Sequence, residues 1–349
     1  MHMFWVVFLS EASFSLDNTR IQNVQVRIIN AYATFWVSRN ISLFKGRDVI
    51  SVLDFSKGEL EHIFRVADRI RRFMKRRTTL LKNDVMGALF FEPSTRTRLS
   101  FDTAMTRLGG GVIGFAEPSA SSLAKGETLE DTIRMVDAYA NVIVMRHPKE
   151  GSASKAAEVA NVPVINGGDG SQHHPTQAMI DLYTIRRQFG KVDGIHAAVV
   201  GDLKHGRAAA SFVYGLSKFD KVALSLVSPT SLRVRKEVAD HVSSKGIPMT
   251  ETENLSDVIK DADVLYVTRV QKERFVDPAE YERVKGSYVI NLSSIAGAKN
   301  RMTILHPLPR VDELATEVDS SPHARYFEQA INGVPIRMAL LALVLGKVQ

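Results

Sequence analysis

Cysteine is absent from all 349 residues. That excludes disulfides, thiolate zinc sites and cysteine nucleophiles together, and it fits a reducing compartment such as the cytoplasm. No uninterrupted apolar run reaches the roughly 18 residues that a membrane-spanning helix needs, so the sequence points to no membrane partner. Metal-ligand spacings of the H-E-x-x-H kind are missing, and no metal is expected. Low-complexity linkers and internal repeats are missing too. The net charge is +7, which suits nucleic acid, acidic membrane surfaces or small anionic substrates. Much of the basic character lies in "RVADRIRRFMKRR", residues 65 to 77. There Ile63, Val66, Ile70 and Phe73 or Met74 share one helical face, and the arginines fall on the other. No aromatic residues are interleaved as stacking platforms, so this is a solvated helix face and not a nucleic-acid site.

The length suggests two domains of ordinary size. Residues 1–43 differ from the rest. "MHMFWVVFLS" is apolar but too short to span a bilayer, and it has no positive leader region or clear cleavage site. A targeting peptide and a start codon assigned too far upstream both fit this stretch, which is treated as an N-terminal extension. From Phe44 the pattern is regular. "DVISVLDF" reads as a short buried segment. A helix follows with Ser56 and Glu59 as a capping box. Strands at "DVMGALFF", "GVIGFA", "NVIVMRH" and "VPVINGG" alternate with helices at "TRLSFDTAMTRL", "TLEDTIRMVDAYA" and Ser154 to Ala160. A longer helix, "HPTQAMIDLYTIRRQFG", leads to a second series of strands at "HAAVVGD", "KVALSLVS", "DVLYVTR", "SYVINL" and "MTILHP". The expected fold class is α/β: two domains, each a mostly parallel sheet flanked by helices, joined by interdomain helices. The boundaries expected are 44–178 for the first domain, completed by a C-terminal helix over 327–349, and 179–326 for the second.

In open parallel sheets, ligands sit beyond the carboxyl ends of strands. The strand ends here deliver Ser94 to Arg98, Arg146 with His147, a Gly-rich loop with His174 and Gln177, Asp202 to Arg207, Arg269 with Gln271, and His306 with Arg310. Cations outnumber carboxylates, so a pocket formed by these ends would take anions. "FFEPSTRTRLSF", residues 90 to 101, is the most legible. A helix N-terminus offers free N–H groups and positive partial charge. Ser94, Thr95 and Thr97 add hydroxyls, and Arg96 adds a fork suited to phosphate. A simple cap needs only one hydroxyl. Glu92 is equally consistent with a partner for an arginine across a cleft and with an ordinary surface glutamate. "GDLKHG" lacks the G-x-G-x-x-G of a dinucleotide site. The His173-His174 pair suits hydrogen bonding better than metal ligation.

Seven segments, "FFEPSTRTRLSF", "SLAKGETLEDT", "VMRHP", "HHPTQ", "GDLKHGR", "TRVQKER" and "LHPLPRVDE", resemble in order and spacing the catalytic chain of aspartate carbamoyltransferase. The resemblance runs from about Phe44 to the C-terminus. It implies transfer of the carbamoyl group of carbamoyl phosphate to L-aspartate, giving N-carbamoyl-L-aspartate and phosphate, an early pyrimidine step without a cofactor. It implies that Ser94, Thr95, Arg96, Thr97 and Arg146 hold the phosphate and that His174 donates to the carbamoyl oxygen. Gln177 and the carbonyls of Leu308 and Pro309 would meet the carbamoyl amide, with a cis Leu308–Pro309 bond. Arg207, Arg269 and Gln271 would take the aspartate carboxylates. Catalysis would rest on Arg96, Thr97, Arg146 and His174. Ser122 and Lys125 would enter from a neighbouring subunit of a homotrimer, Lys125 reaching aspartate. By itself Lys125 reads as a solvent lysine; the motif reverses that.

Two departures stand out. Ala208 replaces a threonine, and "AKGET" has one lysine where two are usual, which leaves the register of Ser122 open. Ornithine carbamoyltransferases share the "STRTR" and "HPTQ" themes, but ornithine's ammonium would need an acidic partner. "RHPKEGSASKAA" resembles catalytic chains that bind a separate zinc-containing regulatory chain, which makes such a chain a candidate partner. The alternative class is a catalytically silent scaffold or anion sensor; such chains usually lose a donor, and here the donor set is intact.

Overall fold

The computed structural model describes residues 44–117, 122–275 and 277–348. The expectations for the N-terminal extension lie outside the described residues. In chain order the elements are α1 (Lys57–Ile70), β1 (Val85–Phe90), α2 (Thr95–Leu108), β2 (Gly111–Phe115), α3 (Leu129–Asp137), β3 (Val142–His147), α4 (Ser152–Val159), β4 (Val164–Asp169) and α5 (Pro175–Phe189). Then come β5 (His196–Val200), α6 (Arg207–Leu216), β6 (Ala223–Val227), α7 (Lys236–Ser244), β7 (Met249–Thr252), β8 (Val264–Val267), α8 (Pro278–Val284), β9 (Thr303–Leu305) and α9 (Tyr326–Val344).

The strands form two wholly parallel sheets, ordered β2-β1-β3-β4 and β7-β6-β5-β8-β9. In the first sheet the chain steps outward from β1 to β2, then crosses back to place β3 on the other side of β1. In the second it steps from β5 through β6 to β7, then crosses back to β8. Strand order therefore reverses between β1 and β3 and between β5 and β8, where the diverging crossover connections leave a crevice at the carboxyl ends. Phe90 pairs with Arg146 at one reversal, and Val200 with Val267 at the other. These two points place the site.

Local chemistry explains the helices. Ser56 and Glu59 make the expected capping box on α1, whose Ile63, Val66 and Ile70 are buried while Arg65 and Arg69, with Arg72 just beyond the helix, face solvent. Phe101, Met105 and Leu108 of α2 are fully buried, and Gly109 ends the helix at φ 94°. Helix α9 is long and apolar enough to cross a membrane by composition, but 72% of its apolar window is buried within the protein. It packs on α1, α2 and α5. One apolar cluster thereby runs through both domains, joining Met86 and Phe101 to Leu340 and, by way of Tyr183, to Phe212 and Tyr266. Separate clusters cover the opposite face of each sheet.

Two strand expectations need correction. "SYVINL" forms no strand; it carries only an isolated bridge between Ile290 and Leu314. Asn291 and Ser294 exchange side-chain bonds with each other's backbone, at 2.8 and 2.9 Å, and turn the chain away from an extended path. Val289 and Leu292 are left exposed on the surface. The unexpected strand is β7, a polar, partly exposed edge strand whose "MTET" lacks apolar alternation.

Gly201 ends β5 at φ 119°, and a Cβ there would overlap the carbonyl of Thr268 at the end of β8. The close approach of these strand ends therefore requires glycine. Gly201→Ala is expected to lower the free energy of unfolding by about 1–3 kcal/mol, read from urea denaturation; an unchanged midpoint would contradict this account.

Candidate active site

A cleft of about 480 Å³ opens where the two reversal points face each other. Its lining includes Ser94, Thr95, Arg96, Thr97, Arg146, His174, Gln177, Arg207, Arg269, Gln271, Leu308 and Pro309. The structure thus brings together twelve of the fourteen residues named from the sequence. The two others, Ser122 and Lys125, lie in a short turn, Ser122–Lys125, and Lys125 is not among the described lining residues. Lys125 is exposed, and the Ser122 side chain is outside the described set. His147, Asp202, Lys204, His205 and Arg310 also stay out of the lining. Several of them have structural partners: His147 packs on Phe91, Asp202 accepts from the His205 and Gln271 amides, and Arg310 is paired with Asp319.

Three helices, α2, α5 and α6, point their N-termini into this cleft. Their N-cap residues are Ser94, His174 and Gly206, and none of the three makes a side-chain capping bond. Ser94 occupies the cap position, but its hydroxyl makes no capping bond to its own helix. Elsewhere in the fold, Ser56, Thr128 and Asp277 cap their helices, while α4, α7 and α9 also lack a side-chain cap. Uncapped N-termini present unsatisfied N–H groups and positive partial charge, so the three together favour an anion. Gly168 packs against two of the lining arginines at φ 114°; a Cβ there would meet the guanidinium groups of Arg207 and Arg146.

Formal charge points the same way. Arg96, Arg146, Arg207, Arg269 and Arg337 line the cleft, and Glu92 is the one carboxylate among its described lining residues. Glu92 accepts from Arg146 at 3.0 Å and from both terminal nitrogens of Arg207 at 2.9 and 3.1 Å. Arg274 approaches it at 3.8 Å. Glu92 follows β1, whereas Arg207 opens α6 and Arg274 lies in the turn after β8, so one carboxylate ties the domains together. Of the two readings left open for Glu92, this settles on the cross-cleft partner. Burial alone would raise its pKa; the hydrogen bond from Arg207 and the charges of three arginines outweigh burial and hold it below the usual range. Arg146 is pushed down to about 10 by burial and by Arg207, and so stays cationic at neutral pH.

His174 is buried apart from its edge on the cleft, and burial with the nearby charges of Arg146, Arg207 and Arg337 drives its pKa well down. It is therefore neutral at pH 7. His174 Nδ1, Arg146 Nε and Arg337 Nε are buried without a hydrogen-bond partner, an uncommon concentration of unsatisfied polar atoms around one cavity. In the far wall, His306 Nδ1 accepts from the Leu308 backbone amide at 2.8 Å, and its Nε2 donates to Glu313 at 2.7 Å. That pairing sets the imidazole tautomer and holds the loop in which the Leu308–Pro309 bond is cis. Among the described residues no group of three or more acidic or histidine side chains is placed to hold a metal.

Arg274, Arg337, Asp181 and Gln329 are the parts that sequence reasoning did not assign. The available signal was a charge alone in an apolar helix: Asp181 in "QAMIDLYTI" and Arg337 in "VPIRMALLALV". Arg337 is pushed down to about 9 by burial and by Arg146, and it rests on Phe101 and on the hydroxyls of Ser100 and Thr176.

Fold and cleft define a two-domain α/β protein that takes polyanionic small molecules between its domains. Family models narrow this further. "Aspartate/ornithine carbamoyltransferase, carbamoyl-P binding domain" matches residues 47–187, and "Aspartate/ornithine carbamoyltransferase, Asp/Orn binding domain" matches 193–344. The chain belongs to the aspartate/ornithine carbamoyltransferase family. It is 55% identical to the aspartate carbamoyltransferase catalytic subunit of Pyrobaculum arsenaticum over 305 residues, covering 87% of this chain and 100% of the relative. It is 56% identical to that of Thermofilum pendens, covering 86% of this chain and 96% of the relative. Among solved structures, the catalytic subunit of M. jannaschii aspartate transcarbamoylase superposes with a TM-score of 0.79 at 50% identity, covering 85% of this chain and 98% of that one. The Trypanosoma cruzi aspartate transcarbamoylase in complex with carbamoyl phosphate and aspartate superposes at 0.84 with 40% identity, covering 87% and 98%.

Glu92→Gln keeps the side chain's shape and removes its charge. The expected outcome is a larger radius of gyration in small-angle scattering, as the domains lose their shared counter-ion. Because the carboxyl pKa is held down, the attraction is fully present above the ordinary value of 4.5 and is lost as pH falls through the lower folded value. Wild-type protein titrated downward from pH 4.5 should therefore expand in the same direction, with the transition below 4.5. No expansion in either sample would refute the clamp.

Proposed function

We infer that the protein transfers the carbamoyl group from carbamoyl phosphate to the α-amine of L-aspartate, releasing phosphate and N-carbamoyl-L-aspartate for pyrimidine synthesis. One observation carries the choice of acceptor. The cleft holds five arginines, and the one carboxylate among its described lining residues is already engaged by three of the protein's arginines. A dicarboxylate fits that balance; the side-chain ammonium of ornithine would find no free acidic partner.

In this reading Ser94, Thr95, Arg96, Thr97 and Arg146 grip the phosphate, helped by the N-terminus of α2. His174, neutral, hydrogen-bonds the carbamoyl oxygen together with Thr97, Arg96 and Arg146, and these donors stabilise the oxyanion that grows as the amine attacks. Gln177 and the carbonyls of Leu308 and Pro309 accept from the carbamoyl NH₂. Arg207, Arg269 and Gln271 orient the two aspartate carboxylates. The attacking amine is neutral. When the carbon–oxygen bond to phosphate breaks, the departing phosphate accepts the amine's proton, so no protein base is required. The remaining acceleration is orientation of two anions that would otherwise repel each other. Such substrates place the enzyme among the soluble metabolites of the cytoplasm.

Ser122 and Lys125 complete a neighbouring protomer's site in a homotrimer. Supporting this, Lys125 is exposed and stands apart from its own chain's cleft. The elements flanking its turn, β2 and α3, leave Ile113 and Met135 exposed at 40% and 49%, with Tyr139 at 60% just beyond. Apolar side chains of this size on neighbouring elements suit a subunit contact. The separate zinc-containing regulatory chain remains a further candidate partner, suggested by "RHPKEGSASKAA".

Purified protein should carbamoylate aspartate and leave ornithine essentially untouched. Arg96→Ala should lower kcat by about 100-fold or more, while Arg269→Ala should chiefly raise the KM for aspartate. Product formation on ornithine, or none above the Arg96→Ala level on aspartate, would overturn the assignment. Mixing inactive Lys125→Ala and Arg96→Ala chains should regenerate activity, because some sites in the mixed trimer contain neither lesion. Exchange of subunits without recovery would rule out the shared site.

A further inference from the structure

Asp181 lies on α5, wholly buried, one helical turn beyond Gln177. Its Oδ1 accepts from Gln177 Nε2 at 2.7 Å and from Gln329 Nε2 at 2.6 Å, and its Oδ2 accepts from the Tyr266 hydroxyl at 2.9 Å. One carboxylate thus joins α5, α9 and β8.

The polarity of this network follows from a single group. The His306 backbone N–H can only donate, and it donates to Gln329 Oε1 at 2.8 Å. The other end of Gln329 is then necessarily its NH₂, which must find an acceptor, and Asp181 Oδ1 is that acceptor. An oxygen already accepting from one amide repels the carbonyl of another, so Gln177 also turns its NH₂ inward. Its Oε1 is left as the free end of a side chain that lines the cleft. The same Gln329 bond anchors the strand end from which Leu308 and Pro309 follow.

We propose that Asp181 is a positioning residue for substrate selectivity: by fixing both glutamine amides it makes this part of the cleft an acceptor-only surface, which selects a carbamoyl NH₂ over a methyl group of the same size. The inference rests on the reading of Gln177, Leu308 and Pro309 as carbamoyl contacts. Burial raises the carboxyl to about 7, partly offset by the bonds from Gln329, Gln177 and Tyr266; either protonation state leaves Oδ1 available to accept. Without Asp181, the Gln177 amide is free to rotate and to offer a donor where the substrate also has a donor. Carbamoyl phosphate would lose its advantage over acetyl phosphate, while the phosphate-binding groups near Ser94 would be untouched.

The test uses Asp181→Leu in the full chain. It compares the affinities of carbamoyl phosphate, acetyl phosphate and inorganic phosphate, with thermal unfolding as a check on folding. The ratio of carbamoyl phosphate to acetyl phosphate affinity should fall roughly 10- to 100-fold, with inorganic phosphate binding essentially unchanged. An unchanged ratio, or equal loss of all three anions, overturns the proposal. If Asp181→Leu does not fold, Asp181→Ala removes the same acceptor with a smaller side chain and is read by the same ratio, with the same outcomes for and against. Gln177→Leu separates the two levels of inference. If it leaves the ratio intact, the carbamoyl assignment of Gln177 fails and this proposal falls with it. If it lowers the ratio while Asp181→Leu does not, the assignment stands and only the role of Asp181 is refuted.

Discussion

Glu92 is the constraint on which the site depends. Guanidinium groups repel one another when crowded into a cavity of this size, and burial of Arg146 and Arg337 removes the water that would screen them. A carboxylate shared by Arg146, Arg207 and Arg274 lets the cluster exist before any substrate arrives. Because its partners come from both sheets, the same contacts that neutralise the charge also hold the two domains against each other. A bound anion would relieve the same repulsion, which makes ligand binding and domain closure mutually favourable.

Other parts of the site follow from what the fold leaves unsatisfied. Parallel sheets bring strand ends and helix starts to the same side, and at each reversal of strand order the following helix presents its N–H groups to the crevice. The three helix starts lining the cleft have no side-chain cap, which leaves their N–H groups to a ligand. The opposite wall is organised by acceptors. There the relay from His306 through Gln329 and Asp181 to Gln177 turns polar amides into a defined pattern. Donors face the end of the cleft suited to phosphate, and acceptors face the end suited to an NH₂ group.

Much of the fold was legible because burial leaves a period in the sequence. Phe101, Met105 and Leu108 marked a core-facing helix, and "VIVM" marked a strand buried on both faces. Where burial is partial, the period fades. "SYVINL" looked like a strand by composition, but Asn291 and Ser294 bond to the local backbone and the segment stays at the surface. "MTET" has no apolar alternation, yet it pairs with β6 as an edge strand. Residues that reach the site from strand ends were legible for the same reason. Asp181, Gln329 and Arg337 were not, because they sit inside helices whose apolar pattern suggests only packing.

By itself the sequence determined the chemistry on offer: no thiol, an excess of cations, hydroxyls at a helix start, and motifs whose order matches one enzyme family. Those properties are local, carried by residue type and short spacing. Tertiary structure decided which of these groups meet. It paired Glu92 with arginines that lie more than a hundred residues away in the chain, kept Lys125 out of its own cleft, and set the direction of two glutamine amides through a carboxylate buried behind them. Such outcomes depend on distance, dielectric and the polarity of hydrogen-bond chains, and these come into being only when the two sheets pack.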